Sequence, residues 1–424
     1  MPRNRVVLGL QWGDAGKGKV IDLLAAEADV VVRYQGGANA GHTVVVGSKK
    51  TVLHLLPSGI LNQHARCVIA HGVVLDPIAL CSELDELLAG GCDAAKRLVV
   101  SDRAHLVLPC HPHMDKAQEI ARGASKVGTT LRGIGPCYTD KTARNGLRAG
   151  ELADLVAFER KLRDVLTKSN VIIRALGSEP LDVDAAVAGY MPAARRIAPL
   201  INDSITILHQ AMAEQRSFLF EGAQGAQLDI DVGTYPFVTS SNTGIGGILT
   251  GSGLSHKQLG DVIGVVKAYT SRVGSGPFLA ELTDARGEAL RQRGREFGAT
   301  TGRPRRCGWL DLAAVGYACR LNGVDAIALT KLDILDGEPE LPVCVSYRLD
   351  GKVIHGPPAR IDDLARAEPM YEVLPGWKKP VTGARKEADL PSEARSYIAF
   401  IEKRLGVPVK WVGTGAGRDE IVLR

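Results

Sequence analysis

The sequence predicts an α/β fold, with a large, mostly parallel central β-sheet flanked by helices. Three observations point there. Short apolar runs rich in β-branched residues recur along the chain without the polar alternation of a half-exposed sheet. Amphipathic stretches of helical period lie between several of them. Glycine-rich polar segments follow the apolar runs, at the carboxyl ends of strands where such sheets gather ligands.

In chain order, RVVLGL (5–10) is a buried strand, KVIDLLAAEA (19–28) a helix and ADVVVRY (28–34) a second strand. CVIAHGVVL (67–75) is strand-like, DPIALCSELDELLAG (76–90) helical and RLVVSD (97–102) a strand. The section 150–216, with ELADLVAFERKLRDVL (151–166), is mainly helical and reads as an insertion. FLFEG (218–222), DVIGVVKAY (261–269), DAIALTKLD (325–333) and VPVKWVG (407–413) complete the strands, and DLAAVGYACRLNG (311–323) adds a helix. No linker composition or repeat interrupts this order, so residues 1–424 are expected to form one elaborated domain.

Composition removes several classes of function. A net charge of +5 over 424 residues lacks the basic stripe of a nucleic-acid binder. No apolar run approaches the ~20 residues that span a bilayer. The N-terminal residues enter a glycine loop directly, so a cytoplasmic location is expected. The eight cysteines (Cys67, Cys81, Cys92, Cys110, Cys137, Cys307, Cys319 and Cys344) show neither CxxC nor metal-ligand spacing, which favours reduced thiols.

GDAGKGKV (13–20) nearly matches a phosphate-cradling loop. Gly13, Gly16 and Gly18 let the backbone approach phosphates at a helix N-terminus, and Lys17 and Lys19 supply positive charge. Two features depart from the usual loop: Val20 follows Lys19 where Ser or Thr would ligate Mg²⁺, and Asp14 lies inside it. A carboxylate beside phosphate implies a cation, and Mg²⁺ takes one or two carboxylates with phosphate oxygens. RYQGGANAGHTV (33–44) is a second polar loop, in which His42 is an acid/base candidate.

TKLD (330–333) ends an apolar strand. Asp333 there can accept the ring N–H and the exocyclic amine of guanine while the Lys331 stem packs over the base; adenine presents the opposite polarity. With the first loop, this makes GTP the leading nucleotide. FGATTGRPRRCGWLD (297–311) pairs Thr300 and Thr301 with Arg303, Arg305 and Arg306, a pattern suited to carboxylate or phosphate. KVGTTLRGIGPCYTDKTAR (126–144) and FEGAQGAQLDIDVGTYPFVTSSNTG (220–244) share its texture, so at least two phosphorylated ligands are expected. A regulatory GTPase would place Ser or Thr after Lys19 and need fewer loops.

The ordered motifs QWGDAGKGK, RYQGGANAGHT, GTTLRGIGPCYTDK, FEGAQGAQLDIDVGTYPFVTSSNT, ATTGRPRRCGWLD, TKLD and GTGAGRDE (413–420) together resemble the adenylosuccinate synthetase family, nearly end to end. The resemblance implies a GTP-binding ligase fold with helical and small-strand subdomains. It also implies GTP- and Mg²⁺-dependent joining of IMP to L-aspartate through a 6-phosphoryl-IMP intermediate. By that resemblance Asp14 is the base that takes the N1 proton of IMP, and His42 is the acid. Asp14 and the Gly41 carbonyl hold Mg²⁺. GTP falls to Gly13, Asp14, Ala15, Gly16, Lys17, Gly18, Lys19, Gly41, His42, Thr43, Arg305, Lys331, Leu332, Asp333, Gly413, Thr414 and Gly415. IMP falls to residues 14–17, Asn39, Ala40, Gly41, His42, Thr130, Gln224, Thr239 and Arg303, with Arg144 supplied by the neighbouring subunit of a homodimer. Aspartate meets Ala299, Thr300, Thr301, Gly302, Arg303 and Arg305. Two positions depart from the common family pattern: Ala15 replaces Glu, and Pro304 interrupts an Arg run. A relative that works on dGMP to make 2-aminoadenylosuccinate is disfavoured by Asp14 with TKLD.

Overall fold

The computed structural model describes residues 4–47, 49–298 and 302–424. Its centre is a ten-stranded sheet. The strands are β1 (Arg5–Gly9), β2 (Val30–Arg33), β3 (Arg66–Ile69), β4 (Leu98–Ser101), β5 (Ile201–Asn202), β6 (Phe218–Glu221), β7 (Asp261–Lys267), β8 (Ala326–Thr330), β9 (Val409–Gly413) and β10 (Ile421–Leu423). Their spatial order is β10-β9-β8-β7-β1-β6-β2-β3-β4-β5. Every pairing is parallel except that of β9 with β10, which folds back as an antiparallel edge.

The apolar runs are continuous because both faces of this sheet are covered. Val6 and Leu8, Val30 and Val32, Phe218 and Phe220, and Ile327 and Leu329 enter one core. Val7, Val31, Leu219 and Ala328 enter the other. The helices Leu155–Ala175 and Val183–Ile197 pack onto this second core through Phe158, Leu162, Leu166, Tyr190 and Met191.

Chain order reverses around β1, with β7 on one side and β6 on the other. The carboxyl ends of β1, β2, β6, β8 and β9 therefore face one crevice; a glycine-rich loop follows each of β1, β2, β6 and β9, and the TKLD turn follows β8. The apolar runs read from the sequence did not mark the small-strand subdomain that the family resemblance implied, nor the strand that His42 opens. Residues Glu340–Leu349, Lys352–Ile354 and Glu368–Pro375 join Leu310–Asp311 in a separate four-stranded sheet. His42 does not sit in a flexible loop: it opens a β-hairpin, His42–Val46 with Lys49–Leu53, facing Leu53. The β-branched run that follows it favours extended backbone.

Candidate active site

The turn after β1 carries Gly13, Asp14 and Gly16 at φ of 84°, 51° and 78°. Left-handed backbone costs a non-glycine residue such as Asp14 about 1–2 kcal/mol. Asp14, Leu131, Arg144, Gln224 and Lys331 are five of the eight non-glycine residues with positive φ among those described, and all five lie in the expected ligand loops. Helix α1 (Lys17–Ala25) begins at Gly16 without a side-chain cap, leaving its first N–H groups open to an anion. Lys17 is buried, donates to the Gln224 carbonyl and has its pKa lowered to about 8 by desolvation, which Asp14 opposes. Lys19, lowered to about 8 by burial, donates to the carbonyls of Gly415 (2.9 Å) and Glu420 (2.7 Å). Ala15 is buried, and its carbonyl accepts from Thr330 Oγ1 at 2.7 Å. Thus β8, rather than an acidic side chain at position 15, braces the turn.

The other loops close on this one. A Cβ at Gly18 would stand 2.7 Å from the Thr43 carbonyl, so only glycine lets α1 meet the hairpin that starts at His42. Gln224 Nε2 donates to Asn39 Oδ1 at 3.1 Å, while the buried Gln224 Oε1 has no partner. Arg305 Nε lies 3.1 Å from Asp14 Oδ2. Arg418 pairs with Asp22 of α1 at 2.6 Å, tying down the C-terminal loop.

His42 is buried, and its Nδ1 lies 2.5 Å from Glu221 Oε1. Glu221 also accepts from Ser58 N (2.7 Å) and Ser58 Oγ (2.9 Å), and Arg33 stands 3.7 Å away. Burial pushes the His42 pKa down, and Glu221 opposes that shift. Burial acts in the opposite sense on Glu221, but its bond to His42 and the nearby Arg33 hold its carboxyl below the usual range. His42 Nε2 is buried without a partner. Sequence reading missed Glu221; the available signal was an acid ending the apolar strand FLFE.

In the TKLD turn, Asp333 Oδ1 is buried and unpartnered, and burial raises the Asp333 pKa. Lys331 Nζ donates to Gly294 O at 2.9 Å and Glu296 Oε1 at 2.6 Å, while Leu332 is buried. Thr414 is buried and spends its hydroxyl on Ala384 O at 3.0 Å; Gly413 and Gly415 flank it. The loop bearing Thr130 is held by Glu119, which accepts from Gly128 N at 2.8 Å, and by Asp115, which accepts from Gly133 N at 3.1 Å. Arg303 NH1 comes within 3.5 Å of the position a Gly128 Cβ would take. Thr239 donates its N–H to Leu228 O at 2.8 Å, and Ala40 O lies 2.6 Å from His54 Nδ1. Arg144 is exposed at the end of helix Ile134–Ala143. Gly302 is exposed with φ 64°. Ala299, Thr300 and Thr301 lie outside the described residues.

The profile of the adenylosuccinate synthetase family matches residues 6–422. The chain belongs to that family. It is 52% identical to the adenylosuccinate synthetase of Moorella thermoacetica over 419 residues, 99% of this chain and 98% of that one. The structure of the fully ligated adenylosuccinate synthetase from Plasmodium falciparum superposes with a TM-score of 0.96 at 38% identity, covering all of both chains. A cyanophage S-2L succinoaminodeoxyadenylate synthetase, bound to dGMP and dATP, shares the fold alone: TM-score 0.63 at 20% identity, covering 100% and 96%. Like the other members of that family, the chain is a ligase that joins IMP to L-aspartate at the expense of GTP, in AMP synthesis. Mg²⁺ is the family's usual cofactor. Among the described residues no group of three or more His, Cys, Asp or Glu forms a metal cage. The half-exposed Asp14 carboxylate within the glycine loop would suit an ion that completes its shell with phosphate oxygens and water. No helix among the described residues is long and apolar enough to cross a membrane.

Proposed function

We propose that Asp14 and His42 divide the acid–base work of the ligation. Asp14 takes the proton from N1 of IMP, so that O6 attacks the γ-phosphate of GTP and GDP departs. The amine of aspartate then attacks C6 of 6-phosphoryl-IMP, the C6–O6 bond breaks, and phosphate leaves. His42, with its Nδ1 proton directed to Glu221, presents Nε2 to the charge that develops on the transferred phosphoryl group. Approaching phosphates raise the pKa that burial lowers, so the ring gains a proton when it is needed. The observation that carries this reading is the His42–Glu221 contact at 2.5 Å with a buried, partnerless Nε2 on the far side of the ring.

Asp14 and the Gly41 carbonyl would hold Mg²⁺, which neutralises phosphate charge when bound. Lys17, the amides of residues 13–19, Thr43, Arg305 and residues 413–415 receive the GTP phosphates, and Lys331 and Asp333 receive guanine. Asn39, Thr130, Gln224, Thr239 and Arg303 receive IMP. Residues 299–305 receive aspartate, and Arg144 reaches the IMP phosphate of a second subunit in a homodimer. The chain acts as one ligase domain with its helices between 150 and 216 as an insertion, and it works in the cytoplasm, where its charged nucleotide substrates are retained.

Two measurements test the chemistry. IMP carrying ¹⁸O at O6 should release labelled inorganic phosphate; unlabelled phosphate would exclude the phosphoryl intermediate. Asp14→Asn should abolish turnover while its melting midpoint stays near that of the parent, and near-normal turnover would exclude Asp14 as the base.

A further inference from the structure

A buried charge cluster centres on Glu296, a residue given no role above and without solvent exposure. Its Oε1 accepts from Lys331 Nζ at 2.6 Å, from Lys267 Nζ at 2.9 Å and from the Tyr269 hydroxyl. Its Oε2 accepts from Arg305 NH1 at 2.7 Å. The backbone repeats that last pairing, because Arg305 N donates to Glu296 O at 2.9 Å. Arg305 in turn stands 3.1 Å from Asp14, so one carboxylate touches both the lysine of the TKLD turn and the arginine facing the proposed base.

We propose that Glu296 is a positioning residue, one that sets Lys331 beside the guanine and Arg305 beside the phosphate and aspartate sites as a single unit. This rests on the ligand assignments of the preceding section. The geometry argues for a shared device rather than two separate supports. Lys331 is held in left-handed backbone (φ 57°) and reaches back past Gly294 to the same oxygen that Lys267 occupies. Three cations around one buried anion would be costly unless another acid balanced them, and Asp14 is that second acid. Oε2 of Glu296 anchors Arg305 where its Nε faces Asp14. Lys331, held on the other oxygen, stays in register with it.

The test is a kinetic split. Glu296→Gln alone would strand Lys267 as a buried cation, so the Glu296→Gln/Lys267→Met double variant removes one charge of each sign. Lys267 is assigned to no ligand, and Lys267→Met alone should leave each KM within about twofold. In the double variant the KM values for GTP and for aspartate should both rise about tenfold or more, in keeping with lost hydrogen bonds between charged groups. The KM for IMP should stay within about twofold. Glu296→Asp keeps the charge, reaches one partner less well and should show the same split to a smaller degree; it serves if the double variant does not fold. A rise for only one of GTP and aspartate, an equal rise for IMP, or a fall in melting midpoint with unchanged KM values would overturn the proposal. Lys331→Met and Arg305→Met separate it from its foundation. If those variants leave GTP and aspartate binding intact, the ligand assignments fail; if they raise the KM values and the Glu296 variants do not, only the shared role of Glu296 fails.

Discussion

Glu221→Gln separates the orientation of His42 from its presence. The carboxylate receives His42 Nδ1 at 2.5 Å, Ser58 N at 2.7 Å and Ser58 Oγ at 2.9 Å, with Arg33 at 3.7 Å. A glutamine has one acceptor oxygen and one donating amide. The Ser58 backbone N–H is fixed, so it retains the oxygen, and the NH₂ turns toward His42 Nδ1. That forces the ring to accept at Nδ1 and forbids the imidazolium. The charged hydrogen bond lost is worth ~1.5–3 kcal/mol. At 1.4 kcal/mol per factor of ten, kcat should fall roughly 10- to 100-fold. The sign of the pH effect follows from the two opposing causes at His42: burial lowers its pKa and Glu221 raises it. Removing Glu221 leaves burial unopposed, so the alkaline fall of kcat moves to lower pH. Initial rates of adenylosuccinate formation, measured across pH at saturating substrates, provide the assay. Arg33 also loses its neighbouring charge, which costs stability, so a melting curve accompanies the rates. An unchanged kcat with an unchanged alkaline limb, in a variant that melts as a folded protein, would refute the role given to Glu221.

Asp333→Asn presents an amide to the 2-amino group of guanine; the KM for GTP should rise roughly 10- to 100-fold and the preference for GTP over ITP, which lacks that amine, should collapse. Retained preference would remove Asp333 from base recognition. Arg144→Leu should raise the KM for IMP about tenfold or more, and mixing it with Asp14→Asn should restore part of the activity through hybrid dimers with one intact site. No recovery would argue against a shared site. His105 is kept neutral by burial and then by Lys141 and Arg148, its pKa pushed from 6.5 to about 4. The unfolded chain therefore binds a proton that the folded chain refuses, so stability is full above pH 6.5 and falls as the pH drops toward 4. Melting midpoints across that range should decline less steeply in His105→Gln, and parallel declines would exclude His105 as a cause.

The central strands were legible in the sequence because a parallel sheet buried on both faces leaves an uninterrupted apolar signature, as in Val6–Leu8 and Val30–Val32. Glycine spacing marked the turn after β1, since left-handed backbone favours glycine at Gly13 and Gly16 and the approach of the Thr43 carbonyl to α1 demands it at Gly18. The sheet of Glu340–Leu349 and Glu368–Pro375 left a weaker trace, for its outer strand has no fully buried residue and is interrupted by charge and proline. Local patterning therefore determined the central sheet and nominated Asp14, His42, Lys331 and Asp333. Tertiary structure alone decided which groups serve them. Glu221 lies 179 residues from His42, and Glu296 lies 35 from Lys331. No periodicity links such pairs: the strand order brings them together, and burial then makes each lone carboxylate matter to the cations and ring nitrogens around it.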